Sequence, residues 1–149
     1  MKPSQLVRSA VKKLLEPELA QLGFKGKYPH FQREDGANLH LLSIVHNKYG
    51  GGFVLEFAQM DLGPLRTEWG ETIPQEKLEI GYAPLTARAR LVQTERKQGT
   101  YEDFFRYDTG AFSRESCEEL VDQVVQKLPQ VNEWLRGEKS GPNVVEFAA

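Results

Sequence analysis

Cysteine is nearly absent from this sequence, and histidine is scarce. The 149 residues contain one cysteine, Cys117, and three histidines, His30, His40 and His46. A single thiol excludes an intramolecular disulfide, and the histidines are not arranged in the short-spaced pairs that zinc sites use. We therefore expect a fold held together by its hydrophobic core, with no metal and no other cofactor.

Long apolar runs are missing as well. A membrane-spanning helix needs roughly 20 consecutive apolar residues, and every apolar run in this chain is far shorter. The first residues also lack the charged, apolar and small-residue order of a signal peptide. Together with the lone cysteine, these absences predict a cytoplasmic protein that has no membrane partner.

Charge of one sign is not in excess. Lysine and arginine total 19, aspartate and glutamate total 21, and the formal net charge is -2. Nucleic-acid binding depends on a basic surface that contacts phosphates. The balance therefore argues against a nucleic-acid partner, and basic pairs such as Arg88 with Arg90 are better interpreted as solvated surface.

Motifs of catalysis are also lacking. No serine lies in the Gly-x-Ser-x-Gly motif of hydrolases. The run Gly50-Gly51-Gly52 has the composition of a phosphate-binding loop, but such loops lead into a helix, whereas strand-like residues flank this run on both sides. The run therefore predicts a hairpin turn, and the sequence favours a protein without catalytic activity.

Two amphipathic helices are predicted from apolar residues at three- and four-residue spacing. The first covers residues 4–22, with Ser4 as its N-cap, and Pro17 should bend it or break it near Glu16. The second covers residues 113–136 and places Cys117 on its apolar stripe, where we expect it to be part of the core. With 40% hydrophobic residues, the chain can form one α+β domain at residues 1–137, followed by a C-terminal tail at 138–149.

An antiparallel meander is predicted between the helices. Residues 31–34, 39–47 and 53–60 are short segments rich in β-branched, aromatic and leucine residues, and they are separated by glycine-containing turns. Residues 86–92 and 101–107 predict a further hairpin, whose turn contains Lys97, Gln98 and Gly99. The fold class that follows is a two-layer α+β sandwich, in which a roughly five-stranded antiparallel meander packs against the N- and C-terminal helices.

Several segments of the chain follow a known pattern. They are LGFKGKYPHFQRE at residues 22–34, LLSIVHNKYGGGFVLEFA at 41–58, ARARL at 87–91, and the Leu128-Pro129 pair of the second helix. In these segments the chain resembles the bacterial domain of unknown function 4304 family. The resemblance implies an uncharacterised bacterial-type domain and supplies no catalytic residue.

The alternation of side chains along the strands predicts two sheet faces. The face toward the helices should contain Phe53, Leu55 and Phe57, together with Leu39, Leu41, Ser43 and Val45. The opposite face should contain Val54, Glu56, Ala58 and Met60, together with His40, Leu42, Ile44 and His46. That second face is too apolar to lie open in water, so either residues 61–85 fold over it, or a partner, a second subunit or a ligand covers it.

The leading functional hypothesis is a non-catalytic module that binds a protein partner or forms a homodimer, through the second face or through the loop that contains Trp69. An alternative is an enzyme with a cleft between the sheet and the 61–85 segment, in which His46 is the base, Glu56 the carboxylate and Arg88 or Arg90 the anion clamp. A nucleic-acid-binding module is the third hypothesis. The candidate binding residues are His46, Glu56, Ile44, Val54, Trp69, Arg88 and Arg90.

Overall fold

The computed structural model describes residues 2–95 and 100–147. The helical elements are α1 (Pro3–Ala10), a π-helical turn (Val11–Leu15), α2 (Glu16–Gln21) and α3 (Arg114–Leu135), with short 3-10 turns at Gln75–Lys77, Ile80–Tyr82, Leu85–Ala87 and Tyr101–Asp103. The strands are β1 (Lys25–Lys27), β2 (His30–Asp35), β3 (Asn38–His46), β4 (Gly52–Asp61), β5 (Leu65–Arg66), β6 (Thr72–Ile73), β7 (Arg88–Leu91), β8 (Phe105–Arg106) and β9 (Val144–Glu146). The fold is α+β, with helices at both ends of the chain and an antiparallel sheet between them.

The first helical region changes its hydrogen-bond pattern just before Pro17. α1 is followed by the π-helical turn, in which the backbone N–H of Glu16 donates to the carbonyl of Val11, and α2 then begins at Glu16. The change from the π-helical turn to α2 at Glu16 confirms the predicted interruption of the helix. Its physical reason is that Pro17 has no backbone N–H to donate. The predicted N-cap is wrong: the cap residue is Lys2 and the helix begins at Pro3, a favoured first helical position.

The long helix α3 begins at Arg114 and is capped by Ser113, whose side chain accepts a hydrogen bond from the backbone N–H of Ser116. It runs through Pro129 without a break, and Cys117 is fully buried on its apolar stripe, as predicted. Lys13 pairs with Glu118 near the start of α3, whereas residues 18–22 line a cavity with residues 125–132 further along it. The two helical regions therefore run in the same direction.

The main sheet has seven strands among the described residues, in the order β1-β2-β3-β4-β7-β9, with β8 also paired to β4. The meander β2-β3-β4 is confirmed. The predicted hairpin between residues 86–92 and 101–107 is wrong, because β7 and β8 pair with two different parts of β4 and not with each other. Its predicted turn, with Lys97, Gln98 and Gly99, lies outside the described residues.

The 138–149 segment, predicted as a tail, contributes the edge strand β9 next to β7. Asn143 attaches it: its side-chain amide donates to the carbonyls of Val92 and Gln93, and it exchanges two hydrogen bonds with Gln130 of α3. These bonds join the segment to both the sheet and the helix layer.

The strand β3 presents to the helices the face opposite to the predicted one. Leu42 lies opposite Phe57 and Ile44 opposite Leu55, and all four belong to the core under the helices. The even-numbered residues of β3 therefore face the helices, and Leu39, Leu41, Ser43 and Val45 lie on the other face. β3 is apolar on both faces, so its alternation could not indicate which face is inside.

Candidate functional site

The second face, defined here as the sheet face away from the helices, is partly covered by residues 62–87. We call these residues the cover segment. Its buried apolar side chains Ile73, Leu78, Ile80 and Ala83 pack on Leu39, Leu41 and Ala58 of the sheet. The sequence left open whether the chain's own segment, a partner, a second subunit or a ligand covers the second face. At this end of the face, the chain's own segment covers it.

Polar contacts fasten the cover segment to the strands beneath it. The side-chain amide of Gln32 donates to the carbonyls of Gln75 and Leu78 at 3.2 and 3.3 Å. The guanidinium of Arg88 donates to the carbonyls of Ala83 and Gly81 at 2.8 and 3.1 Å. Arg88, predicted as an anion clamp, is therefore engaged in holding the backbone of the cover segment.

A row of polar residues crosses the second face from strand to strand. Strand register places His30 opposite Ser43, Ser43 opposite Glu56, and Glu56 opposite Arg90. His30 Nδ1 lies 2.8 Å from Ser43 Oγ, and Arg90 donates to a carboxylate oxygen of Glu56 at 2.9 Å. This polar row separates the apolar cluster under the cover segment from a second cluster, which contains Val54, Val92 and Phe104.

The contacts of His30 resemble a catalytic triad in composition. One ring nitrogen faces Ser43 Oγ, and the other lies 3.4 Å from the Glu79 carboxylate of the cover segment. However, Ser43 is only 1% exposed and lies in the middle of β3, so its hydroxyl cannot reach a substrate carbonyl. The arrangement connects the sheet to the cover segment, and Ser43 is not placed to act as a nucleophile.

His46 lies on the helix face, away from the polar row. Its Nε2 is 2.6 Å from the hydroxyl of Tyr28, and its ring contacts Phe53 and Tyr107. Burial lowers the pKa of His46 and raises the pKa of Tyr28 to about 12, so both groups are neutral near pH 7. Because Glu56 lies on the opposite face, the predicted pairing of His46 with Glu56 as base and carboxylate does not form.

Ile44 and Val54 are both buried, and they lie on opposite faces of the sheet. Ile44 is part of the core under the helices, whereas Val54 belongs to the cluster with Val92 and Phe104. The prediction that Ile44 shares a face with Val54 is wrong, because the strand that carries Ile44 faces the other way. Neither side chain is available on the surface of this chain.

Trp69 lies at the tip of a small hairpin within the cover segment. The strands β5 and β6 pair through Leu65 and Ile73, and the turn is closed by the backbone N–H of Thr67, which donates to the carbonyl of Glu71. The indole of Trp69 is 71% exposed, and its N–H donates to the carboxylate of Glu71 at 3.1 Å. The hairpin therefore presents a large aromatic surface that the fold does not bury.

Within residues 2–95 and 100–147, no three side chains of His, Cys, Asp or Glu come together as a metal-binding group. No helix in this part of the chain combines the length and apolar character needed to cross a bilayer.

The sequence matches the family model described as Domain of unknown function (DUF4304) over residues 15–137. The chain belongs to this family. The matched range of the DUF4304 domain includes the meander, the cover segment, the polar row and α3, while α1 and β9 lie outside it. Comparison with curated proteins and with solved structures finds no match.

In this DUF4304 domain, the structure brings together only some of the residues that the sequence singled out. Glu56 and Arg90 form an ion pair, and Trp69 is exposed on its hairpin. Sequence reasoning missed His30 and Ser43 as members of the polar row. A signal was present in Ser43, a small polar residue within an otherwise apolar strand.

Proposed function

We propose that this domain is a non-catalytic protein-binding module whose contact element is the Trp69 hairpin. The observation that carries the proposal is the exposure of Trp69 at the tip of the hairpin. Tryptophan is enriched among the residues that dominate binding energy at interfaces. A tryptophan whose N–H is already bonded within its own hairpin offers mainly apolar area to a partner.

The hairpin is held firmly at its base, which supports this role. Ile73 is buried against the sheet, Leu65 packs beside it, and the side chain of Gln75 bonds both the backbone N–H of Gly63 and the carboxylate of Glu34. A contact element that is ordered before binding loses less conformational entropy when it binds. The tip is therefore presented in a fixed place.

The charge around the tip indicates the chemistry of the partner. Glu68 and Glu71 flank Trp69, and Asp61 and Glu76 lie at the ends of this stretch. Arg66 is the single basic residue between Asp61 and Glu76. Complementary potentials favour a basic protein surface that contains an apolar pocket for the indole.

The test compares Trp69→Ala with Tyr49→Ala, a matched control because Tyr49 is another exposed aromatic residue in a turn. Each immobilised variant is incubated with lysate from the source organism, and bound proteins are quantified by mass spectrometry. The proposal requires a basic protein that binds wild type and Tyr49→Ala but is lost with Trp69→Ala. With that protein purified, Trp69→Ala should weaken binding by about 30-fold or more.

Two outcomes would reject the proposal. Identical bound-protein profiles for wild type and Trp69→Ala would show that the hairpin contacts nothing. A loss of binding accompanied by a loss of native circular dichroism would mean that Trp69 supports the fold instead. Light scattering of the purified chain decides whether the partner is a second copy, because a homodimer formed through the hairpin would become monomeric in Trp69→Ala.

A further inference from the structure

A cavity of about 350 Å³ lies between the sheet edge and the cover segment, away from the Trp69 hairpin. On the sheet side it is lined by β1 and the start of β2, and on the other side by residues 76–79. Its volume is within the range of small-molecule sites, which begins at roughly 300 Å³. Of its lining residues, only Glu76 also belongs to the acidic stretch around the Trp69 hairpin.

Three lysines line this cavity: Lys25 and Lys27 from β1, and Lys77 from the cover segment. Lys27 lies opposite His30, and Lys25 lies opposite Gln32, so both lysines project from the second face toward the cavity. Within the described residues, none of the three lysines has an acidic group within ion-pair distance. Three ammonium groups therefore share one small space with the carboxylates of Glu76 and Glu79 and form an ion pair with neither.

The walls of the cavity are fixed to each other. Gln32 bonds the carbonyls of Gln75 and Leu78 across the gap. At the floor, His30 contacts Ser43 on one side of its ring and Glu79 on the other. The chain's own hydrogen bonds thus fix the shape of the cavity, as in the largely pre-formed sites that bind small molecules.

The remaining polar group on the rim is the carboxylate of Glu76. Ammonium groups bind phosphate as point charges, and a carboxylate accepts hydrogen bonds from hydroxyl groups. We propose that this cavity binds a small phosphorylated polyol, with its phosphate among Lys25, Lys27 and Lys77 and a hydroxyl donated to Glu76. This inference is independent of the proposed function.

The distribution of charge favours a small anion over a nucleic acid. The net charge of the chain is -2, and outside the cavity the cover segment also carries Glu68 and Glu71. A strand long enough to leave the cavity would meet these carboxylates, and binding to nucleic acid requires a continuous basic track. A ligand that is no larger than the cavity avoids this repulsion.

The test is a titration of the full chain with glucose 6-phosphate at constant ionic strength. Binding is monitored by the chemical-shift changes of backbone amides in NMR spectra. Shifts should concentrate in residues 25–32 and 76–79. Glucose and inorganic phosphate, titrated in parallel, should each bind at least about tenfold more weakly, because each lacks one set of hydrogen bonds.

The decisive variant is the combined Lys25→Gln, Lys27→Gln and Lys77→Gln substitution, which should abolish the shifts. Lys12→Gln, at another exposed lysine, is the control and should bind as wild type does. Since all three substituted side chains are exposed, native circular dichroism should be retained, and Lys77→Gln alone should still weaken binding about tenfold if the triple variant unfolds.

Three results would overturn the inference. Shifts that are absent or scattered over the surface would show that this cavity is not a binding site. Equal affinity for inorganic phosphate and glucose 6-phosphate would show that the site does not recognise the polyol part of the ligand. Tighter binding of a single-stranded oligonucleotide, abolished by the same lysine substitutions, would assign the lysines to nucleic acid instead.

Discussion

Arg33 donates a hydrogen bond from its Nε to Nδ1 of His40 at 2.9 Å, and His40 is 1% exposed. Arginine can only donate, so Nδ1 of His40 must be the unprotonated nitrogen and its proton lies on Nε2. The same guanidinium donates to the carbonyl of Leu22, and the His40 ring hydrogen-bonds the backbone of Leu135. This pair therefore joins the sheet to the ends of both helical regions.

We predict that this pair makes the domain sensitive to acid. Burial, reinforced by the positive charge of Arg33, lowers the pKa of His40 from 6.5 to about 4, partly offset by Asp35. The unfolded chain takes up this proton as the pH falls through 6.5, whereas the native chain resists until about pH 4. Stability present above pH 6.5 is thus lost progressively down to about pH 4, by about 3 kcal/mol for this group.

The measurement is urea unfolding of wild type and His40→Gln at pH 7, 5.5 and 4. The difference in unfolding free energy between the two proteins should change by about 3 kcal/mol over this range, because the variant has no imidazole to titrate. Burial also lowers the pKa of His46, so His46→Gln is measured in parallel to separate the two histidines. A difference that is constant with pH would contradict the prediction.

The glycine turn between β3 and β4 should not tolerate a side chain at Gly51. Gly51 has φ +89, and a Cβ atom there would collide with the hydroxyl of Tyr101 and lie 2.8 Å from the carboxylate of Asp108. Tyr101 donates to that carboxylate at 2.6 Å, so a Cβ atom that displaces either side chain would disturb this bond. We expect Gly51→Ala to lower the unfolding free energy by about 3 kcal/mol, from steric overlap added to backbone strain.

Gly50→Ala is the matched control for this substitution. Gly50 has a similar φ of +84, but a Cβ atom there would meet open space. Only the backbone strain remains, so we expect a loss of about 1 kcal/mol. Thermal and urea unfolding of the two variants compare them directly, and equal losses would show that the contact with Tyr101 is not important.

Asn143 should decide whether the C-terminal segment stays on the sheet. Its side chain bonds the carbonyls of Val92 and Gln93 and is 3% exposed. Asn143→Ala removes the donor from one buried and one partly buried carbonyl, which should cost about 2 kcal/mol. The amide of Phe147, which donates to the carbonyl of Arg88, should exchange with solvent faster, as measured by hydrogen exchange.

Asn47→Ala supplies the control, because Asn47 makes its side-chain bond to Gly50 in an exposed turn. That substitution should leave the exchange of the Phe147 amide unchanged. If Asn143→Ala also left it unchanged, the three-residue strand β9 would be held by its backbone pairing alone.

The helices and the meander could be predicted because their apolar residues follow a clear period. Apolar residues spaced three and four positions apart form one apolar stripe on each helix, and glycine-containing turns separate the strands. The hairpin prediction for residues 86–92 and 101–107 failed because both segments pair with β4, which is long enough to accept two partners at different positions. Pairing of distant strands depends on contacts that local composition does not contain.

The candidate site could be predicted only in part. Trp69 was singled out within an irregular loop, and the structure places it, exposed, at the tip of a small hairpin. The roles of His30, Ser43 and the three cavity lysines depend on strand register and on where the cover segment lies, so their positions in the chain do not reveal them. His46 and Glu56 were placed together on a face that they do not share.

By itself, the sequence determined the fold class, the two helices, the central meander and the burial of Cys117, because each follows from the local alternation of apolar and polar residues. The tertiary structure decided which face of β3 lies under the helices, what covers the other face and which polar groups meet. The physical reason is that β3 is apolar on both sides, so both orientations bury similar area, and only the packing of distant segments against each face selects between them.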